Sequence, residues 1–240
     1  MTTDARSTDP VIAVLVDVVG SRTLGIDHVA WLEDLAESLN VHYSGRGNLL
    51  ADFARTRGDE IEGLLAVGAD PFDAILLGSL GHRVGTKVVP VRWVAAAGMV
   101  RAGSGPASRR DGQALWAAQD ALTALRERDA EPYGIELRTG SPSPDEILSH
   151  LVPWISEELR GLTDNQRRLI AQRLRAETAA MTLAKLRFGA KVDVSLEAVR
   201  KTLASSRVRR FDDLVAVARV EWKRGAAVHA PDPLRASARS

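Results

Sequence analysis

The feature that most constrains the fold is the apolar run VIAVLVDVVG at 11–20, which is rich in β-branched residues and ends at a glycine. Such a run predicts a strand that is buried on both faces of a sheet. It is too short to span a membrane, and it carries Asp17 near its end. A carboxylate inside a buried strand is costly unless it is paired or bound to a metal. Asp17 is therefore the first candidate functional residue.

The residues after this run alternate between helical and strand-like patterns. Apolar residues recur at three- and four-residue spacing from Val29 to Tyr43, which is typical of an amphipathic helix, and Asp27 is placed to cap it. Two short strand-like runs, 48–56 and 61–67, flank the polar turn Arg57-Gly58-Asp59-Glu60. These runs predict a β-hairpin.

The rest of the first half completes a recognisable order of elements. Asp70-Pro71 predicts the start of a second helix, and 88–98 predicts another strand. The order strand, helix, hairpin, helix, strand predicts an α+β fold with a ferredoxin-like antiparallel sheet backed by two helices. A third helix is predicted over 105–128, and a short strand at 134–138 is expected to extend the sheet.

The second half reads as helical. The stretch TGSPSP at 139–144 is the candidate linker. Two capping boxes, Ser143 with Glu146 and Thr163 with Gln166, predict helix starts. Further helices are predicted at 181–188, 195–203 and 211–223. The chain is thus divided into a sheet domain at 11–140, a helical domain at 141–224 and a disordered tail at 225–240.

Charge separates the two halves. The net charge of the chain is +1, but residues 157–224 hold 16 Lys/Arg and 9 Asp/Glu, a formal charge of +7, which leaves −6 for the rest. A basic helical segment of this kind is a candidate for binding nucleic acid. The absence of cysteine excludes disulfides and thiolate metal sites and fits a cytoplasmic protein. A mean hydropathy of −0.10 and the lack of a long apolar segment argue against a membrane protein.

Several chemistry-bearing residues are expected at one edge of the sheet. In a ferredoxin-like sheet the end of the first strand lies beside the tip of the neighbouring hairpin, so Asp17 is expected near Asp59 and Glu60. Three carboxylates can hold Mg²⁺, which in turn can bridge nucleotide phosphates. The candidate phosphate or nucleotide contacts are Gly20, Ser21, Gly58 and Arg92. The alternative is that Gly-Asp-Glu is an ordinary solvated turn.

Four segments together resemble the SatD family of bacterial proteins: VLVDVVGSR at 14–22, RGDEIEGLL at 57–65, VRWVAAAGMV at 91–100 and SGPASRRDGQALWAAQDAL at 104–122. The resemblance implies a first half similar to the palm-like domains of nucleotidyl cyclases and GGDEF proteins, followed by a helix-turn-helix module. It also implies that Asp17 is the metal-binding Asp of strand one and that Asp59 and Glu60 are the acidic pair of the signature hairpin. Arg57 and Ile61 stand where that signature has Gly and Phe.

The basic half contains the residue types of a helix-turn-helix motif in the expected order, although their spacing is loose. These residues are Ala184, Gly189, Ser195, Val199 and Leu203. The candidate DNA contacts are Arg200 and Lys201 on the reading helix and Arg207, Arg209 and Arg210 in a flanking basic loop. The alternative is a solvated helical face with pairs such as Glu197 and Lys201.

The leading hypothesis from the sequence is a DNA-binding regulator whose palm-like domain binds a nucleotide through Mg²⁺. The alternative is a Mg²⁺-dependent nucleotidyl transferase or cyclase that acts on nucleoside triphosphates, for which catalytic residues are not assigned. A third reading is a non-catalytic scaffold that dimerises. A homo-oligomer is compatible with each of these readings, and a membrane partner is not expected.

Overall fold

The computed structural model describes residues 8–22, 28–56, 58–81, 83–84, 87–128, 133–178, 201–202 and 204–230. Over these residues the chain is α+β, with a five-stranded mixed sheet and several helices. Within the described ranges, no helix combines the length and the apolar character needed to cross a membrane.

The strands and helices account for most of this part of the chain. The strands are β1 (Thr8–Val18), β2 (Leu49–Arg55), β3 (Glu60–Ala66), β4 (Arg83–Val84), β5 (Lys87–Val88), β6 (Val91–Arg101) and β7 (Ile135–Arg138). The helices are α1 (His28–Ser44), α2 (Pro71–Leu76, continued by a π-helical turn at Leu77–Gly81), α3 (Gln113–Glu127), α4 (Pro142–Gly161), α5 (Asp164–Thr178) and α6 (Ser206–Ala226). Short 3₁₀ turns lie at Ala107–Arg109 and Ala227–His229.

The apolar run at the start of the chain forms the centre of the main sheet. The strand order is β2-β3-β1-β6-β7, in which β7 pairs with β6 in parallel and the other pairs are antiparallel. Every residue of β1 from Val11 to Val18 is buried, as the sequence predicts for a strand covered on both faces. Strands β4 and β5 form a separate two-stranded ribbon that the sequence analysis did not predict.

The two faces of the sheet carry different helices. Side chains such as Val14 and Val16 face a core that includes α1 and α2. Ala13 and Leu15 face the opposite way, into a smaller core beneath α3. Helix α3 lies close to the sheet because Gly98 stands below it, where a Cβ atom would be 3.0 Å from the backbone nitrogen of Ala114.

The helical half is packed onto the sheet half. Buried apolar residues of α4 and α6, among them Leu148, Ile155, Phe211 and Trp222, belong to the same hydrophobic cluster as α1 and β1. The candidate linker at 139–144 is part of this packing, because Thr139 is fully buried and Ser141 Oγ donates a hydrogen bond to the carbonyl of Gly225. The division into two domains stays a prediction.

Two predicted helix boundaries differ from the structure. The third helix begins at Gln113 rather than at 105, because Gly112 has a φ of +156° and the preceding residues form a 3₁₀ turn. The capping box of Ser143 with Glu146 was wrong. Helix α4 begins at Pro142, and the Asp145 carboxylate instead accepts hydrogen bonds from the backbone and hydroxyl of Thr139.

Other boundary predictions agree with the structure or lie outside it. The box of Thr163 with Gln166 is confirmed, with reciprocal hydrogen bonds of 2.9 and 3.3 Å. Residues 225–230, assigned from the sequence to a disordered tail, form the end of α6 and a 3₁₀ turn. The predicted helix at 181–188 lies outside the described residues, and the one at 195–203 is described only at 201–202, which are helical.

Candidate functional site

A row of charged residues crosses three strands at one end of the sheet. Asp17 of β1 lies opposite Glu60 of β3 and opposite Arg92 of β6 in the strand register. Register partners project from the same face of a sheet, so these three side chains lie side by side. The sequence expectation that Asp17 and Glu60 lie close together agrees with this register.

Asp17 is buried, and both of its carboxylate oxygens accept hydrogen bonds from arginines. Its exposed fraction is 2%. Arg92 Nη1 lies 2.7 Å from Oδ2, and Arg126 Nη2 lies 2.7 Å from Oδ1. Removing either partner from a buried ion pair is strongly destabilising, because the other charge is then left uncompensated. The two arginines therefore explain how a carboxylate is tolerated inside this strand.

Arg126 joins the two carboxylates of the row. The same Nη2 atom that contacts Asp17 also donates to Oε1 of Glu60. The hydrogen bond to Asp17, together with the one to Glu60, raises the pKa of the Arg126 guanidinium in spite of its partial burial. Sequence analysis missed Arg126. The available signal was its place four residues after Leu122, on the continuation of the apolar stripe of α3.

The two carboxylates and Arg126, as arranged, leave no place for a Mg²⁺ ion between Asp17 and Glu60. A cation bridging the two carboxylates would have to lie where Arg126 Nη2 lies. Over the described ranges of the chain, no group of three or more acidic or histidine side chains is placed to hold a metal ion. A metal could enter between Asp17 and Glu60 only after Arg126 had moved away.

The remaining residues predicted for phosphate contact gather at the same edge. The Ser21 hydroxyl donates to Asp59 Oδ2 over 2.6 Å, and the backbone of Val18 donates to the Asp59 carbonyl over 3.1 Å. Gly20 and Gly58 both adopt positive φ, +64° and +55°, which favours glycine at these turns. The tip of the hairpin is thus tied to the end of β1, with the Asp59 side chain directed to Ser21.

A cavity of about 350 Å³ opens next to the charged row. Strand β3, the 3₁₀ turn at Ala107–Arg109 and helix α3 form its walls. Its lining includes Glu60, Glu62, Arg110, Trp116, Gln119 and Arg126. Its volume is at the lower end of the range for small-molecule sites. Trp116 is 57% exposed, and its indole N–H donates to Asp111 Oδ1 at 2.8 Å.

Glu62 is a buried acid on the wall of this cavity. It is 8% exposed, and its side chain makes no hydrogen bond or ion pair with any residue in the described part of the chain. Burial is the main cause that raises the pKa of Glu62, and the negative charge of Glu60 raises it further. A titratable group with a perturbed pKa in a cleft is a candidate binding residue. The sequence analysis did not select Glu62, although it is the second acid in the segment DEIEG.

Of the basic residues predicted to contact DNA, those that the structure describes lie on helix α6 and just before it. The flanking loop predicted at 207–210 was wrong: α6 begins at Ser206, and Ser205 caps it by accepting a hydrogen bond from the backbone of Val208. Local capping chemistry extends the helix over these arginines. Lys201 is exposed. Arg200 lies outside the described residues, as do all the predicted helix-turn-helix positions: Ala184, Gly189, Ser195, Val199 and Leu203.

The three arginines of this first turn have different partners. Arg207 and Arg210 both contact the buried carboxylate of Glu158 on α4, at 3.2 and 2.5 Å. Arg209 is exposed, and its side chain forms no ion pair with a residue in the described ranges. Arg209 is therefore the one of the three that has no ion pair among the described residues.

A second ionic cluster fastens α6 to the sheet half. The carboxylate of Asp73 accepts hydrogen bonds from Arg219 and Arg46, both at 2.6 Å, and contacts His42 at 3.0 Å. Burial raises the pKa of Asp73. The contacts with His42, Arg219 and Arg46 together lower it by more than burial raises it, so the pKa of Asp73 lies below its ordinary value. Arg219 also lies 2.8 Å from the carboxylate of Asp70.

Comparison with known proteins returns no assignment for this chain. No family model matches it, and no curated protein matches it.

Proposed function

We propose that this protein is a nucleotide-responsive DNA-binding regulator. Its sheet half, to which we assign a ferredoxin-like and palm-like architecture, binds a nucleotide in the cavity beside Arg126, and its helical half contacts DNA. The strand order β2-β3-β1-β6, with α1 and α2 between the strands, supports this architecture. The resemblance to the SatD family suggests the same assignment.

The observation that carries the nucleotide half of the proposal is the combination of side chains around one cavity. Trp116 offers an exposed aromatic surface on which a base can stack. Arg110 lines the cavity, and one terminal nitrogen of Arg126 makes no hydrogen bond to the described residues, so both can donate to phosphate oxygens. The cavity thus provides an aromatic surface and phosphate donors.

The nucleotide proposal is tested by thermal shift and calorimetry with nucleoside triphosphates in the presence of EDTA and, separately, of Mg²⁺. Binding should raise the melting temperature. Trp116→Ala and Arg110→Gln should each weaken binding at least about tenfold, a loss of ~1.4 kcal/mol. Trp154→Ala and Arg224→Gln are matched controls, because both residues are exposed and lie outside the cavity. No response to any nucleotide would exclude this half of the proposal.

The DNA half is supported by the basic charge of 157–224 and by the exposed Lys201 and Arg209. Each phosphate contact contributes about 0.9 to the slope of log affinity against log salt concentration. Replacing both residues by Gln should weaken binding in a mobility-shift assay and reduce that slope by about 1.8. Arg101→Gln, an exposed arginine on β6, is the control. An unchanged slope would contradict the assignment of these residues.

A metal-dependent nucleotidyl transferase or cyclase is the second candidate function. The observation that favours it is that Asp17 and Glu60 are direct register partners at the end of the central strand. It requires Arg126 to leave the space between them, since the carboxylates as arranged do not fit a metal ion. Incubation with the four nucleoside triphosphates and Mg²⁺ or Mn²⁺ tests it. Pyrophosphate release that Asp17→Asn abolishes would favour the enzyme, and no release would leave the regulator.

A further inference from the structure

We infer that the cavity beside Arg126 selects guanine nucleotides and that Glu62 is the residue that distinguishes guanine from other bases. The inference rests on the nucleotide binding proposed above, and it adds the identity of the base. It depends on one side chain whose hydrogen-bonding capacity is not used within the described protein.

Glu62 differs from the other three acidic residues at this edge of the sheet. Asp17 accepts hydrogen bonds from two arginines, Glu60 accepts from Arg126, and Asp59 accepts from Ser21. Glu62 is 8% exposed, lines the cavity, and has no such donor among the residues that the structure describes. Burying a carboxylate without a partner costs free energy, so a ligand that supplies the donors gains correspondingly.

The chemistry of a carboxylate limits which base can supply those donors. An ionised carboxylate only accepts hydrogen bonds, and its two oxygens accept best from two parallel N–H groups. Guanine presents such a pair, N1–H and the 2-amino group, on one edge. Adenine presents an acceptor nitrogen beside its amino group, and uracil and cytosine each place an acceptor next to their donor. Only guanine satisfies both oxygens without opposing an acceptor to one of them.

The neighbouring residues suit the rest of the base. Trp116 and Gln119 lie three residues apart on α3 and therefore on neighbouring parts of one helix face, and both line the cavity. The Trp116 ring can stack on the purine, and the Gln119 amide can donate to O6 of guanine. Arg110 and Arg126, which also line the cavity, can donate to the phosphates.

The test on the unmodified protein is a series of affinities measured by calorimetry for GTP, ITP, XTP and ATP. ITP lacks the 2-amino group of guanine, and XTP carries an oxygen in its place. We expect GTP to bind about tenfold or more tightly than ITP, and more tightly still than XTP and ATP. This series needs no variant, so it stands even if a substitution impairs folding.

The substitution Glu62→Gln gives a second and opposite test. A Gln amide presents one acceptor and one donor, which match N1–H and O2 of xanthine. The variant should therefore lose affinity for GTP by about tenfold or more and should bind XTP more tightly than GTP. Glu33→Gln, an exposed glutamate outside the cavity, is the control and should leave the ranking unchanged.

The outcomes distinguish a failure of the guanine assignment from a failure of the proposed nucleotide binding. Equal affinity for ATP and GTP would overturn the guanine assignment and leave nucleotide binding intact. A preference for GTP that persists in Glu62→Gln, with no gain for XTP, would overturn the assignment to Glu62. Failure of all four nucleotides to bind would overturn the proposed function itself, and the guanine assignment with it.

Discussion

Arg126 donates to Asp17 across 2.7 Å, although the two residues lie 109 positions apart in the chain. The contact joins the end of helix α3 to the end of the central strand, and it places a fixed positive charge between two carboxylates. Together with Arg92, Arg126 balances the two negative charges of Asp17 and Glu60. The magnesium site expected from the sequence stays a prediction.

Replacing Arg126 by Gln should convert the pair of carboxylates Asp17 and Glu60 into a divalent-cation site. The substitution removes the cation that Asp17 and Glu60 share, and two close carboxylates favour a divalent ion. We expect the variant to bind one Mn²⁺ ion, detected by electron paramagnetic resonance, and to be stabilised by it. Without metal, the variant should lose about 1–3 kcal/mol of unfolding free energy.

The unmodified protein should show no Mn²⁺ binding in the same titration. Arg110→Gln is the matched control, since Arg110 lines the cavity but makes no ion pair with the acidic row among the described residues. Stoichiometric Mn²⁺ binding by the unmodified protein that is lost in Asp17→Asn would show that Arg126 does not hold the cation position.

The ionic cluster around Asp73 should make stability fall in acid. Because the pKa of Asp73 is lowered in the folded state, its contribution is complete above the ordinary pKa of an aspartate, and it is lost as the pH falls through the lowered value. Asp73→Asn should destabilise the protein at pH 7 and flatten the acid limb of the curve. Urea unfolding at several pH values measures both effects. An acid limb of unchanged steepness in the variant would contradict this explanation.

Glu62 should have the opposite effect on stability. Burial and Glu60 raise its pKa in the folded state, so its ionisation costs stability as the pH rises through the raised value. Glu62→Gln should therefore increase the melting temperature by a few degrees at pH 7. The gain should vanish when the carboxyl is protonated in both states, below the ordinary pKa of a glutamate. Equal melting temperatures of the variant and the unmodified protein at neutral pH would show that ionisation of Glu62 does not cost stability.

The close approach of α3 should be sensitive to the size of residue 98. A Cβ at Gly98 already meets the backbone of α3 at 3.0 Å, so Gly98→Val must push the helix away from the sheet. Overpacking of this kind costs about 1–3 kcal/mol. The shift should also weaken the contact between Arg126 and Asp17. Gly103→Ala is the control, because nothing lies within 4 Å of its added atom.

The parts of the fold that follow from local pattern were predictable. The buried β1, the hairpin and the helix capped by Asp70 each depend on residues close in sequence, and each is present in the structure. The partners of Asp17 were not predictable to the same extent. Its position opposite Glu60 follows from sheet order, whereas the contact with Arg126 depends on how α3 docks, which periodicity does not determine.

The basic half shows the same limit. The pattern of charge identified the arginines at 207–210, but it could not reveal that two of them pair with Glu158 of another helix. The helix-turn-helix prediction over 184–203 falls almost entirely on residues outside the described ranges and stays a prediction. Glu62 was missed because its neighbours in sequence give no sign that its carboxylate has no donor among the residues that the structure describes.

Helix α6 is held at two places, by Glu158 near its start and by Asp70 and Asp73 along its length. Its apolar face shares one uninterrupted core with the central strand. The arginine-bearing end of this helix is therefore fixed to the rest of the chain that the structure describes. A structural change caused by a ligand in the cavity would have to reach this end of α6 through the packed interior, as small displacements of interlocked side chains.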